Sequence, residues 1–277
     1  MKQKFQWISL SFLLLLSSTL QAARVDTLQI YSKKMKRNIE TLVIYPKLPI
    51  SSERIPTLYL LHGYSGDAFA WSKSKPELRK MADQDHILIV CPNGENSWYW
   101  DSPLQADSQF ETFVSEELVH YIDTHYPTRR NRNSRAITGL SMGGHGALWL
   151  AIRHKEVFGA CGSMSGGVDI RPFPNNWDMS KQLGNESNNQ ARWDAHTVMT
   201  QLNKIQNGDL AITFDCGSDD FFFSVNCELH HELKKLGIFH DFTIRPGKHN
   251  WIYWNNSIEY HWLFFKKFFN GYKTRIQ

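Results

Sequence analysis

Short continuous apolar runs alternate along this chain with stretches whose apolar residues recur every three or four positions. Thr57-Leu58-Tyr59-Leu60-Leu61 and His86-Ile87-Leu88-Ile89-Val90-Cys91 are runs of the first kind, as expected of strands covered on both faces. Residues 135–140, 157–164, 210–214 and 241–245 predict further strands, and 25–31 and 40–45 predict two more around a polar turn at 33–37. Residues 76–81, 110–126, 143–153, 228–236 and 258–269 read as helices. In the second of these, Phe113, Leu118, Tyr121 and Ile122 keep helical spacing until Pro127 ends the run. Strands alternating with helices predict an α/β fold, a mostly parallel central sheet with helices on both faces. One irregular stretch, 166–189, is rich in Asn, Pro and Gly. A segment of that length inside a domain predicts a lid or cap.

The first 22 residues follow a different pattern. Lys2 and Lys4 precede a largely apolar stretch from Phe5 to Leu16, after which Ser17-Ser18-Thr19-Leu20-Gln21-Ala22 turns polar and ends on a small residue. This is the three-part layout of a secretory signal peptide. The expectation is a cut after Ala22, residues 23–277 as one domain, and a periplasmic or secreted protein without stable membrane insertion. No later segment reaches the length of an apolar membrane span.

Composition narrows the function classes. The 277 residues are 42% hydrophobic and 21% charged, which suits a large packed core rather than disorder. Without Lys2 and Lys4 the chain carries 29 basic residues against 27 acidic, with no basic stripe for nucleic acid. Cys91, Cys161, Cys216 and Cys227 lack the spacing of a zinc site, and three of them lie in strand-like runs, so free buried thiols are expected. Cys216 and Cys227 are the pair worth testing for a bridge. No phosphate-binding loop is present, and neither a metal nor a cofactor is expected.

The chemistry concentrates at Gly139-Leu140-Ser141-Met142-Gly143, a Gly-x-Ser-x-Gly pattern between a predicted strand and a predicted helix. So sharp a turn strains the serine backbone and leaves no room for side chains two residues to either side. A serine hydroxyl needs a base, and the base an orienting acid, in the chain order Ser, Asp or Glu, His. Of the twelve histidines, His249 alone follows the last predicted strand at its carboxyl end, where open α/β sheets place active groups. His145 sits on the helix after the serine, where a solvated or packing role is expected. For the acid, Asp219 and Asp220 lie beyond the strand ending at Phe214, and Asp215 lies at its edge. Pattern alone leaves Asp219 and Asp220 both open. Leu61-His62-Gly63-Tyr64-Ser65-Gly66 supplies the loop for an oxyanion hole, with the backbone N–H groups of Tyr64 and Met142 as donors.

Together these segments resemble the esterase D-type esterases, which include S-formylglutathione hydrolases, tributyrin-type esterases, and feruloyl and acetyl-xylan esterases. The resemblance rests on Leu60 to Gly66, Gly139 to Gly144, Asp215-Cys216-Gly217-Ser218-Asp219-Asp220-Phe221 and Gly247-Lys248-His249-Asn250-Trp251. It implies an α/β-hydrolase fold, with Ser141 as nucleophile, His249 as base and Asp220 rather than Asp219 as acid. Asn96 to Pro103 also resembles the family's aromatic loop near the acyl pocket. Trp98 and Trp100 in that loop, and Trp251 after the base, are expected to bind substrate, since flat rings suit a sugar face or a phenolic acyl group. The implied function is an exported serine esterase acting on a small-molecule or polysaccharide ester, acetyl or feruloyl. Alternatives of other kinds are an acyltransferase to a sugar, an S-formylglutathione hydrolase-like thioesterase, and a non-catalytic binding module. The predicted export signal argues against the thioesterase.

Overall fold

In the computed structural model, residues 23–48 and 53–271 are described; the expected signal segment 1–22 lies outside them. Eight strands form one sheet in the order β1-β2-β4-β3-β5-β6-β7-β8. They are β1 (Arg24–Ser32), β2 (Arg37–Tyr45), β3 (Thr57–Leu61), β4 (Leu88–Pro92), β5 (Arg135–Gly139), β6 (Ala160–Met164), β7 (Ala211–Gly217) and β8 (Asp241–Arg245). The β1–β2 and β2–β4 pairs are antiparallel, and every pair from β4 to β8 is parallel. This is the mostly parallel sheet that the alternation of patterns predicts, in the α/β-hydrolase arrangement that the resemblance implies.

The helices are α1 (Ala70–Ser74), α2 (Leu78–Asp85), α3 (Phe110–Thr112), α4 (Leu118–His125), α5 (Met142–Arg153), α6 (Met179–Leu183), α7 (Glu186–Ala195), α8 (Phe223–Lys235) and α9 (Trp251–Phe269). A π-helical turn, Phe113–Glu117, joins α3 to α4 within the single helix that the spacing suggested. Strands β3 to β6 are buried along their whole lengths, as continuous apolar runs between two layers must be. Two apolar clusters flank the sheet. One is centred on α5 and the aromatic loop, the other on α2 and α9.

Three of the differences from expectation have local reasons. The β4 strand starts at Leu88 because His86 adopts a left-handed conformation that ends α2. The α9 helix starts at Trp251, seven residues before the apolar pattern suggests, because the Asn250 side chain accepts a hydrogen bond from Tyr253 N–H and caps it. The stretch 166–189 is not structureless, since it contains α6 and the start of α7. All four cysteines are free thiols, three of them buried and Cys227 partly so.

Candidate active site

The β5 strand delivers Ser141 to the top of the sheet. The residue has φ 55° and ψ −117°, a strained conformation for anything but glycine. Crowding explains the glycines around it. A Cβ on Gly139 would lie 2.5 Å from the carbonyl oxygen of Gly143, and one on Gly143 would lie 2.5 Å from that of His62. Met142 then opens α5, so its N–H is among those with no carbonyl one turn back. The positive end of the helix dipole sits beside the serine.

The loops after β7 and β8 complete a hydrogen-bonded chain. Oγ of Ser141 donates to Nε2 of His249 across 2.8 Å. On the other side of the ring, Nδ1 lies 2.8 Å from Oδ2 and 3.0 Å from Oδ1 of Asp220. A carboxylate only accepts, so the ring hydrogen is on Nδ1 and Nε2 faces the serine as an acceptor. The Asp220 carboxylate also accepts from Phe222 N–H and is buried. Asp219 is exposed and turned toward the Ser218 hydroxyl. Asp215 is buried below the site, bonded to Tyr253, Ser257 and His261. Of the three aspartates, Asp220 alone meets His249.

A cleft of about 390 Å³ opens over Ser141 and His249. Tyr64, Trp177, Trp251 and Trp254 provide its aromatic lining, while Ser65, Asp67, Lys73 and Ser74 make a polar part. The Tyr64 hydroxyl donates to Asp178 across 2.8 Å, which ties the loop after β3 to the segment before α6. Phe221 is 52% exposed, with its ring centre 4.2 Å from that of His249, and it stacks on Trp177 at 5.5 Å.

Trp251 lines the cleft; Trp98 and Trp100 do not. They are 1% and 0% exposed and stack on each other inside the core. The reason is backbone direction: Trp98 and Tyr99 both have positive φ, which folds this loop inward. Trp100 Nε1 donates to Nε2 of His145, and Nδ1 of His145 faces the Gly167 carbonyl. His145 thus packs rather than meeting solvent. Burial drives its pKa down to about 3, so the ring is neutral and Nε2 can accept.

His62, in the loop after β3, also has a structural task. Its Nε2 accepts from Gly94 N–H at 2.8 Å and its Nδ1 faces the Gly63 carbonyl at 2.7 Å. Burial lowers its pKa. It therefore pins the loop that carries Tyr64. Trp177 and Trp254 also line the cleft, and Phe221 borders it at His249, beyond the aromatic residues expected from the sequence. The run Phe221-Phe222-Phe223 directly after Asp220 carried a signal; Trp177, in a stretch without periodicity, did not.

Residues 32–263 match the protein-family model described as "Putative esterase". The chain belongs to this esterase family. Among relatives of the esterase, an acetyl esterase of Caldicellulosiruptor saccharolyticus is 28% identical over 254 residues, covering 82% of this chain and 92% of the relative. A solved ferulic acid esterase superposes with a TM-score of 0.78 at 26% identity, over 89% of this chain and 98% of its own. The Staphylococcus aureus fluorophosphonate-binding serine hydrolase F superposes with a TM-score of 0.80 at 20% identity, covering 88% and 98%, and supports the fold. The esterase therefore acts on ester substrates within an α/β-hydrolase frame. Among the described residues, no helix is long and apolar enough to cross a membrane.

Proposed function

We propose that this esterase is an exported serine hydrolase that cleaves acetyl or feruloyl esters on plant polysaccharide through an acyl-enzyme. The observation that carries the reading is the hydrogen-bonded chain Ser141–His249–Asp220. Ser141 Oγ attacks the ester carbonyl carbon while Nε2 of His249 takes the hydroxyl proton. The carbonyl π pair moves onto oxygen, where the N–H groups of Tyr64 and Met142 hold the oxyanion. Asp220 keeps the imidazole in one tautomer and stabilises its cation. Collapse of the tetrahedral species breaks the ester C–O bond, and Nε2 returns its proton to the leaving alcohol. Water then attacks the acyl-serine with the same histidine as base, and Ser141 is regenerated.

Support for the substrate class comes from the shape and lining of the cleft. It is open, with indole rings near His249 and a polar part at Asp67, Lys73 and Ser74. Aromatic faces suit a phenolic acyl group or a pyranose ring, and the polar groups suit hydroxyls. The relatives named as acetyl esterase and ferulic acid esterase point the same way. The basic-then-apolar segment at residues 1–22 supports export.

Two experiments test this. Phenylmethylsulfonyl fluoride is expected to leave its adduct on the peptide containing Ser141; an adduct on another serine removes the nucleophile. A panel of acetyl-xylan, methyl ferulate, a short-chain triglyceride and S-formylglutathione is expected to rank the first two highest by kcat/KM. A ranking led by the thioester overturns the substrate assignment.

A further inference from the structure

Beneath the Ser141–His249–Asp220 chain runs a second one built from the same three chemical types. Oγ1 of Thr138 lies 2.9 Å from Nδ1 of His261, and Nε2 of His261 lies 3.1 Å from Oδ2 of Asp215. The carboxylate only accepts, so Nε2 of His261 donates to it, and Nδ1 on the other side of the ring faces the threonine hydroxyl. All three side chains are buried, and none of them lines the cleft. With no path for substrate, this set is not a second catalytic centre.

Its placement gives it another task. Thr138 is in β5, three residues before Ser141; Asp215 is in β7, five residues before Asp220; His261 is in α9, which starts two residues after His249. The elements that carry or adjoin the three site residues are thus bonded to one another one layer down. Asp215 gathers more of them. The Tyr253 hydroxyl donates to its Oδ1 across 2.9 Å, and the Ser257 hydroxyl donates to its Oδ2. Nη1 of Arg245, at the end of β8, lies 3.2 Å from Oδ2. Burial alone pushes the carboxyl pKa up, yet the bonds from His261 and Ser257 and the Arg245 charge hold it below the ordinary range. An ionised, fully engaged carboxylate at this depth has one low-energy arrangement of partners.

The 2.8 Å bond between Ser141 and His249 spans the end of β5 and the start of α9. Its length depends on how those two elements are set against each other. We propose that Thr138, His261 and Asp215 form a positioning network that fixes β5, β7, β8 and α9 at the separation the Ser141–His249–Asp220 chain requires. This inference rests on the reading of Ser141 as nucleophile.

The test uses the full chain with Thr138→Val, Thr138→Ser and Asp215→Asn. A fluorophosphonate titrates active serines, and kcat and KM for p-nitrophenyl acetate are measured per labelled site, well below each variant's Tm. The downfield N–H resonance of His249 reports its bond to Asp220. Thr138→Val and Asp215→Asn are expected to lower kcat per labelled site by about tenfold or more. KM is expected to stay within about twofold, the histidine resonance to shift, and Thr138→Ser to recover most of kcat. Unchanged kcat per labelled site alongside a lower Tm would make the network a stability feature and overturn the proposal. If Asp215→Asn does not fold, the Thr138→Val and Thr138→Ser pair decides the matter alone. A wild-type chain left unlabelled at Ser141 would instead remove the nucleophile, and the network's role with it.

Discussion

Nδ1 of His249 lies within 3.0 Å of both carboxylate oxygens of Asp220, while Asp219, one residue earlier, faces solvent. An asparagine at position 220 offers a donor as well as an acceptor, so the ring is no longer held in one tautomer. Asp220→Asn is expected to lower kcat for p-nitrophenyl acetate by roughly 10³-fold or more. Asp219→Asn is expected to change it by about twofold at most, as for an ordinary surface site. The opposite order of effects would move the acid role to Asp219.

Ser141 holds φ 55° and ψ −117°, a region in which a non-glycine residue carries on the order of 1–3 kcal/mol of strain. Ser141→Ala is expected to abolish turnover at nearly unchanged Tm, since alanine inherits the strain. Ser141→Gly is expected to be equally inactive yet more stable, because glycine relieves more strain than it loses in chain entropy. A gain of about 1 kcal/mol corresponds to roughly 2–4 °C in Tm for a chain of this size. Calorimetry checks this. A Ser141→Gly protein that melts below Ser141→Ala contradicts the strain argument.

The buried tryptophans and the cleft aromatics should separate cleanly by assay. Trp100→Phe leaves Nε2 of His145 without its donor, and the unmet acceptor costs about 1–3 kcal/mol of stability with little change in KM. Phe221→Ala removes an exposed ring beside His249 and is expected to leave Tm within a degree or two. It is expected to raise KM for methyl ferulate about two- to tenfold, the worth of one aromatic contact. Urea melts and steady-state kinetics measure both. Trp100→Phe would restore the aromatic loop to the cleft if its KM rose and its stability held.

Acid should weaken the fold before most carboxylates titrate. His145 is neutral in the folded state with a pKa near 3, against 6.5 for an ordinary histidine. The unfolded chain therefore binds a proton that the folded chain refuses between those values. The stabilisation is complete above pH 6.5 and is lost as pH falls toward 3, at up to about 1.4 kcal/mol per pH unit for one proton. His62 shifts in the same direction and adds to the slope. Urea denaturation at pH 7.5, 6.5, 5.5 and 4.5 is expected to show little change between the first two and falling stability below, with a shallower slope in His145→Gln. A flat profile down to pH 4.5 would show that neither ring is held neutral.

Strands β3 and β8 fall on the expected residues, and the others lie close to theirs, because apolar runs bounded by turns and prolines have few other uses in an alternating chain. The Ser141 turn was legible for a similar reason, as few other settings require glycines two residues to each side of a serine. The error at Trp98 and Trp100 came from equating a loop with the surface. Two left-handed residues direct that loop into the core, and their conformation leaves no mark in a pattern of apolar and polar positions. Asp215 was legible only as a strand-edge aspartate. Its partners come from β8 and α9, 30 or more positions away, and only the folded sheet brings them together.

None of the four thiols is joined to another. The tertiary structure is thus secured without any covalent cross-link between distant parts of the chain. Dithiothreitol should leave both the melting curve and turnover untouched, and refolding would need no oxidoreductase. Cys227, the only one of the four not fully buried, is where an alkylating reagent or a maleimide dye would attach first.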